Sequence, residues 1–132
     1  MQRVTYAIVV PVYNGADSLG ELFERIKATM DSLESTFRVV FVDDYSKDHS
    51  WEVIKALKKK YPKQVTAIKL ARNTGQHNAT LCGLHHANAD FAITIDDDLQ
   101  IPPEEITKLI SRQQETEADL IYGVFTVKKH DP

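Results

Sequence analysis

Three consecutive aspartates, Asp96-Asp97-Asp98, follow directly on the apolar run Phe91-Ala92-Ile93-Thr94-Ile95. At roughly 6 Å and an effective dielectric near 20, two such carboxylates repel by roughly 3 kcal/mol. A solvated acidic turn would relieve this. So would a hard divalent cation, Mg2+ or Mn2+, with phosphate oxygens and water completing a shell for which the chain has too few carboxylates. Asp43-Asp44 ends another apolar run, Val39-Val40-Phe41-Val42. Two roles are open to that pair: capping a helix, or accepting hydrogen bonds from the base or ribose of a nucleoside. Arg72 can serve as a surface ion-pairing residue or as a fork of donors to a diphosphate. His77, His85 and His86 share a stretch whose other face carries Leu81 and Leu84, and they read as packing or surface residues rather than ligands. Cys82 in the same stretch reads as a small buried apolar residue.

The elements that position these residues follow from periodicity. Tyr6-Ala7-Ile8-Val9-Val10 is a continuous apolar run, as expected of a strand covered on both faces. After a turn at Tyr13-Asn14-Gly15, apolar residues recur at Leu19, Leu22, Phe23, Ile26, Met30 and Leu33, which is helical spacing with Asp17 or Ser18 as cap. Val39 to Val42 makes a second strand. Trp51, Ile54, Leu57 and Tyr61 mark a helix that Pro62 closes. Val65 to Leu70 predicts a third strand, Gln76 to Ala87 a helix, and Phe91 to Ile95 a fourth strand. Pro102-Pro103 opens a helix with Glu104 and Glu105 in its first turn, and Leu120 to Phe125 predicts a fifth strand. This alternation predicts a mostly parallel α/β sheet with helices on both faces and right-handed crossovers. Ligands of such sheets sit outside the carboxyl ends of the strands, near a switch in strand order. Tyr13-Asn14, Asp43-Asp44, Arg72-Asn73 and Asp96-Asp97-Asp98 all fall at those ends.

Composition narrows the function classes. The chain has 132 residues, 42% hydrophobic and 27% charged, which suits one globular domain. Its single cysteine excludes a disulfide framework and a cysteine-based structural zinc site. Net charge is −3 over residues 1–46, +6 over 47–89 and −6 over 90–132, adding to −3 for the whole. A net-acidic chain is a poor nucleic-acid binder. Lys58-Lys59-Lys60 and Lys63 lie where a helix ends; they suit its dipole and solvent, with a membrane-surface contact as the other reading. The longest stretch free of charged side chains, Asn73–Ala89, is rich in Asn, Gln, His and Thr, so no membrane span is expected. The amino terminus does not read as a signal peptide, since Arg3 is followed by a strand-like run, and a cytoplasmic setting is the expectation. G-x-G-x-x-G, G-x-x-x-x-G-K-[ST] and G-x-S-x-G are all missing, which excludes nicotinamide or flavin dehydrogenases, P-loop enzymes and serine hydrolases of the elbow type.

Four blocks together carry a resemblance. Pro11-Val12-Tyr13-Asn14, Asp43-Asp44-Tyr45-Ser46 with Asp48 and Ser50, Arg72 through Ala79, and Asp96 through Glu105 resemble, in order and spacing, the family 2 inverting glycosyltransferases. The last two blocks are most similar to the branch that transfers sugars to polyprenyl phosphates such as dolichyl or undecaprenyl phosphate. The resemblance implies a GT-A fold, Rossmann-like and of the nucleotide-diphospho-sugar transferase type, and a nucleotide-sugar donor. It implies that Pro11, Tyr13 and Asn14 line the nucleotide pocket, that Asp43 bonds the base, and that Arg72 lies near the donor. Asp96 and Asp98 match the outer members of the Asp-x-Asp motif, and Asp98 with Gln100 would hold the Mg2+ or Mn2+. Asp97 stands at the motif's free position; it joins the donor-lining set without a role of its own.

The same resemblance implies an acceptor that is a lipid phosphate or a cell-envelope glycan, reached at the cytoplasmic face of the membrane. Family members continue past a point like Pro132 into the acceptor half. Residues 1–132 are therefore expected to be the donor part of a domain truncated at its carboxyl end. Its acceptor-side base is missing, since Asp119 precedes the fifth strand on the far edge, and little turnover is expected from the chain alone. Two other readings stand beside this one: a non-catalytic nucleotide-sugar-binding module, and a sugar-phosphate nucleotidyltransferase. The latter favours a Gly- and Arg-rich first loop, and Tyr13-Asn14-Gly15-Ala16 has no Arg. Two positions depart from the family pattern. Tyr45 stands where glycine is usual, so a differently shaped loop is expected, and Thr74 stands where an aromatic is usual.

Overall fold

The computed structural model describes residues 4–118. β1 (Thr5–Val12), β2 (Thr36–Asp43), β3 (Val65–Lys69) and β4 (Phe91–Thr94) alternate with α1 (Ala16–Ser32), α2 (Ser50–Lys60) and α3 (Gln76–His85). A 3-10 turn at Pro103–Glu105 then leads into α4 (Ile106–Thr116). Every strand pairing is parallel and the order is β3-β2-β1-β4, so the sheet grows one way from β1 and then switches to its other side. The expected alternation and parallel sheet are what the chain forms. The predicted fifth strand, Leu120 to Phe125, and Asp119 lie outside the described residues. No helix among the described residues is long and apolar enough to cross a membrane.

The strands are apolar on both sides because both sides are covered. Tyr6, Ile8, Val10, Val39 and Phe41 face α1, α2 and α4, meeting Leu19, Leu22, Phe23, Ile26, Ile54, Ile106 and Ile110. Each such buried side chain contributes about 1.5–3 kcal/mol by leaving water. The alternate residues Ala7, Val9, Val40 and Val42 face α3. That helix lies close: a Cβ on Gly83 would stand 2.3 Å from Val9 Cγ1 and 3.1 Å from Val42 Cγ2. Close approach through Ala79 and Gly83 turns Leu81 and Leu84 outward, 51% and 39% exposed, so the apolar face expected of them is not the packed one. Cys82 is half-buried against the same cluster rather than fully buried. His77, His85 and His86 are exposed, as surface residues.

Helix ends differ from expectation in an instructive way. Neither Asp17 nor Ser18 caps α1; Gly15 occupies the cap position, and the donors there are met from a distant loop described below. α2 ends before Pro62 as predicted, and Lys58 Nζ donates to the carbonyls of Pro62 and Val65 at 2.7 and 2.9 Å. At least that lysine of the basic run serves the helix end.

Candidate functional site

The site begins where β1 and β4 part. In a parallel sheet a residue's N–H and C=O point to the same neighbour. Val9 O accepts from Ile95 N at 3.1 Å, so odd-numbered residues of β1 face β4. Pro11 is the next such residue, and it has no N–H to extend the ladder. The residue after that, Tyr13, gives its N–H to the Asp97 side chain instead, with Oδ2 accepting at 2.9 Å. The Ser18 hydroxyl also donates to the Asp97 carbonyl. This crevice between β1 and β4 is the switch point of the sheet, where ligands of such folds sit. Asp97 is half-buried and its carboxyl is pushed above the ordinary range. Burial is the main cause and the charges of Asp98 and Asp96 add to it, while the Tyr13 amide works the other way.

The β1–α1 turn is held by the β2–α2 loop. Asn14, at φ 54°, donates its N–H to Ser46 Oγ at 3.0 Å and accepts the Lys47 N–H on Oδ1 at 2.9 Å. Gly15 N–H reaches Ser50 Oγ at 2.9 Å and Ala16 N–H reaches Asp48 Oδ2 at 3.1 Å. Asp48 also accepts from the Ser50 N–H and hydroxyl. Desolvation opposes its charge, yet the hydrogen bonds from Ser50 and Ala16 prevail and hold its carboxyl below the ordinary range. The N–H groups of Asn14, Gly15 and Ala16, leading into α1, are therefore met by this loop.

The paired aspartates at the end of β2 divide their work. Asp44 is buried, and its Oδ1 accepts from Thr74 N at 2.7 Å and Thr74 Oγ1 at 2.9 Å while Oδ2 accepts from Gly75 N at 2.9 Å. It caps neither α2 nor α3: the groups it binds belong to the turn just before α3, so it fixes the approach to that helix rather than its first N–H groups. Asp43 is wholly buried; Oδ1 accepts from Ser46 N at 3.3 Å, and Oδ2 has no hydrogen-bond partner. A buried carboxylate oxygen left without a donor is costly, and native chains keep few of them. Tyr45, the next residue but one, stands at φ 62° with its side chain half exposed. The backbone there is left-handed, a conformation that favours glycine, and tyrosine is accommodated in it.

The remaining candidates sit on the same edge. Gln76 opens α3 and donates from Nε2 to Asp96 Oδ1 at 2.8 Å. Asp96 and Asp98 are exposed, and Asp98 Oδ1 accepts the Gln100 N–H at 3.1 Å across Leu99 at φ 61°. Arg72 is exposed on the β3–α3 loop and forms no ion pair among the described residues. Tyr13, Asn14, Asp43, Asp96, Asp97 and Asp98 are thus gathered at one edge. Asp44, Asp48, Ser50 and Gln76 emerge as the residues that organise them. A groove of about 500 Å³ runs beside β4, between Leu84 of α3 and Ile106, Leu109 and Ile110 of α4, and touches this edge only at Pro11, Gln76 and Asp96.

An acidic carboxyl edge at the switch point of a parallel α/β sheet places the chain in the GT-A class, and solved glycosyltransferases share this architecture. The mannosyltransferase from Pyrobaculum calidifontis in complex with GDP-Man and Mn2+ superposes with a TM-score of 0.68 at 23% identity, over 80% of this chain and 31% of its own. S. aureus TarS 1-349 in complex with UDP superposes with a TM-score of 0.69 at 25% identity, over 87% of this chain and 33% of its own. The chain belongs to glycosyl transferase family 2, whose model matches residues 7–132. Curated relatives include two undecaprenyl-phosphate 4-deoxy-4-formamido-L-arabinose transferases. The one from Shewanella sediminis is 42% identical over 94% of this chain and 36% of its own length. The one from Edwardsiella ictaluri is 44% identical over 79% of this chain and 32% of its own length. The chain spans about a third of the length of these relatives.

Proposed function

We propose that the chain is the donor-binding part of an inverting glycosyltransferase that takes a sugar from a nucleotide diphosphate and passes it to a polyprenyl phosphate at the cytoplasmic face of the membrane. Asp43 Oδ2 carries this reading: a buried acceptor without a donor, at the carboxyl edge, fits the N–H of a nucleoside base. In this reading Pro11, Tyr13 and Asn14 line the nucleotide pocket, and Arg72 supplies guanidinium donors toward the diphosphate. Asp97 keeps the crevice in shape through Tyr13. Family membership and the relatives' names support a polyprenyl phosphate as acceptor. An acceptor phosphate is already anionic, so it can attack the anomeric carbon without a base from the protein.

The donor set at the rim fits Mg2+ or Mn2+. Asp96, Asp98 and Gln100 offer only oxygen ligands and are open to solvent. When bound, the ion supplies positive charge against the departing nucleoside diphosphate. Among the described residues no group of three or more His, Cys, Asp or Glu side chains is placed to hold a metal alone. The second reading is a metal-independent nucleotide-sugar-binding module.

Calorimetric titration with UDP, GDP and their sugars, with and without Mn2+, separates the two. The transferase reading expects binding that Mn2+ strengthens, that Asp98→Ala reduces to its metal-free level, and that Asp43→Asn weakens about tenfold or more, the worth of one charge-assisted hydrogen bond. Binding indifferent to Mn2+ and to Asp98→Ala supports the module instead. No binding of either nucleotide overturns both.

A further inference from the structure

We propose that Gln76 is a positioning residue for Asp96, itself set in place by Asp44 through Thr74 and Gly75; the inference rests on the nucleotide-diphosphate reading above. Asp96 is an exposed side chain on a loop and would otherwise sample several rotamers. Gln76 Nε2 holds its Oδ1 at 2.8 Å, which fixes the carboxylate and leaves the second oxygen for a ligand. The chemistry of the holding group matters. A carboxamide donates without adding charge, so Asp96 keeps its full negative charge for a cation. A lysine or arginine in its place would compensate that charge, and an acid would repel it.

Gln76 is in turn placed by a buried anchor. Asp44 binds Thr74 N, Thr74 Oγ1 and Gly75 N at 2.7, 2.9 and 2.9 Å, and Gly75 turns at φ 93° to start α3. The Thr74 hydroxyl is one of the three contacts. The aspartate run is thereby held at Asp97 by Tyr13 and Ser18 and at Asp96 by Gln76. Partners of this outer kind are worth about 10–100-fold in metal affinity where they orient a ligand.

The test is titration of the whole chain with UDP and with GDP, with and without Mn2+. Gln76→Ala is expected to weaken Mn2+-dependent nucleotide binding by about tenfold. It should leave the metal-free affinity and the ligand-free melting temperature as they are. Gln76→Asn, one methylene too short, does not restore the binding. Thr74→Ala gives a smaller loss of the same kind, and Thr74→Ser recovers it. Wild-type Mn2+-dependent affinity in Gln76→Ala, while Asp98→Ala abolishes the metal dependence, overturns the positioning role and leaves the transferase reading intact. Equal loss of metal-free and Mn2+-dependent binding in Gln76→Ala also overturns it, because the residue would then act on the nucleotide or the fold. If Asp98→Ala and Asp43→Asn also leave binding unchanged, the transferase reading itself fails.

Discussion

Asp97 accepts the Tyr13 amide at 2.9 Å across the gap that Pro11 opens between β1 and β4. The side chain stands in for the strand that is missing there, and Gly15 makes room for it. A Cβ on Gly15 would fall 2.7 Å from Asp97 Oδ2. Gly15→Ala is expected to cost about 1–3 kcal/mol by displacing that carboxylate. Asp97→Ala costs about 1 kcal/mol through the unmatched Tyr13 N–H. In the double variant the clash has gone, so its loss should be smaller than the two single losses added together. A chemical-denaturation cycle on the four proteins measures the coupling. Strict additivity would show that Gly15 and Asp97 do not meet.

Gly83 sets the distance between α3 and the sheet. Its missing Cβ would lie 2.3 Å from Val9 Cγ1, and Val9 is wholly buried and cannot withdraw. Gly83→Ala should therefore destabilise by about 1–3 kcal/mol or more, although alanine has the better helix propensity by about 1 kcal/mol. A melting temperature raised by Gly83→Ala would mean that α3 rides higher on the sheet than described.

Asp48 joins the starts of α1 and α2, and its charge is what the N–H groups of Ala16 and Ser50 bind. Its carboxyl titrates below the ordinary range in the folded chain. A group whose folded value is depressed stabilises above its unfolded value, near 3.8, and loses that contribution as pH falls through the folded one. Asp48→Ala should thus cost about 1 kcal/mol at pH 7, the worth of a helix cap, and progressively less as pH falls below about 4. Urea unfolding at pH 7, 4 and 3 measures this. A loss independent of pH would assign the effect to packing instead.

What the sequence makes legible here is whatever depends on near neighbours. Continuous apolar runs such as Tyr6 to Val10 and Val39 to Val42 announce strands buried on both faces, and their polar ends mark one edge of the sheet. Contacts that leap along the chain leave no such trace. The α1 cap was expected from Asp17 or Ser18, but the donors are met by Asp48 and Ser50, 32 and 35 residues from the amides they bind. Asp44 likewise serves a turn 30 and 31 residues on, and nothing local distinguishes it from Asp43. Leu81 and Leu84 suggest the packed face of α3 by hydrophobicity, whereas closeness through Gly83 decides it. Gln76 lies in a block with a family resemblance, yet its partner Asp96 is visible only once the edge is assembled.

Tyr45 shows what family pattern and geometry say together. The family usually has glycine there, and the residue stands at φ 62°, where a side chain costs about 1–2 kcal/mol. Its ring is half exposed and so recovers little by burial. Tyr45→Gly relieves the strain but adds about 0.4–1 kcal/mol of unfolded-chain entropy, leaving a net gain of up to about 1.5 kcal/mol. Thermal and urea unfolding should both register the increase. Tyr45→Ala, which keeps the strain and removes the ring, should not. A loss of stability in both variants would show instead that the exposed ring fastens the loop beside Asp43 and Asn14.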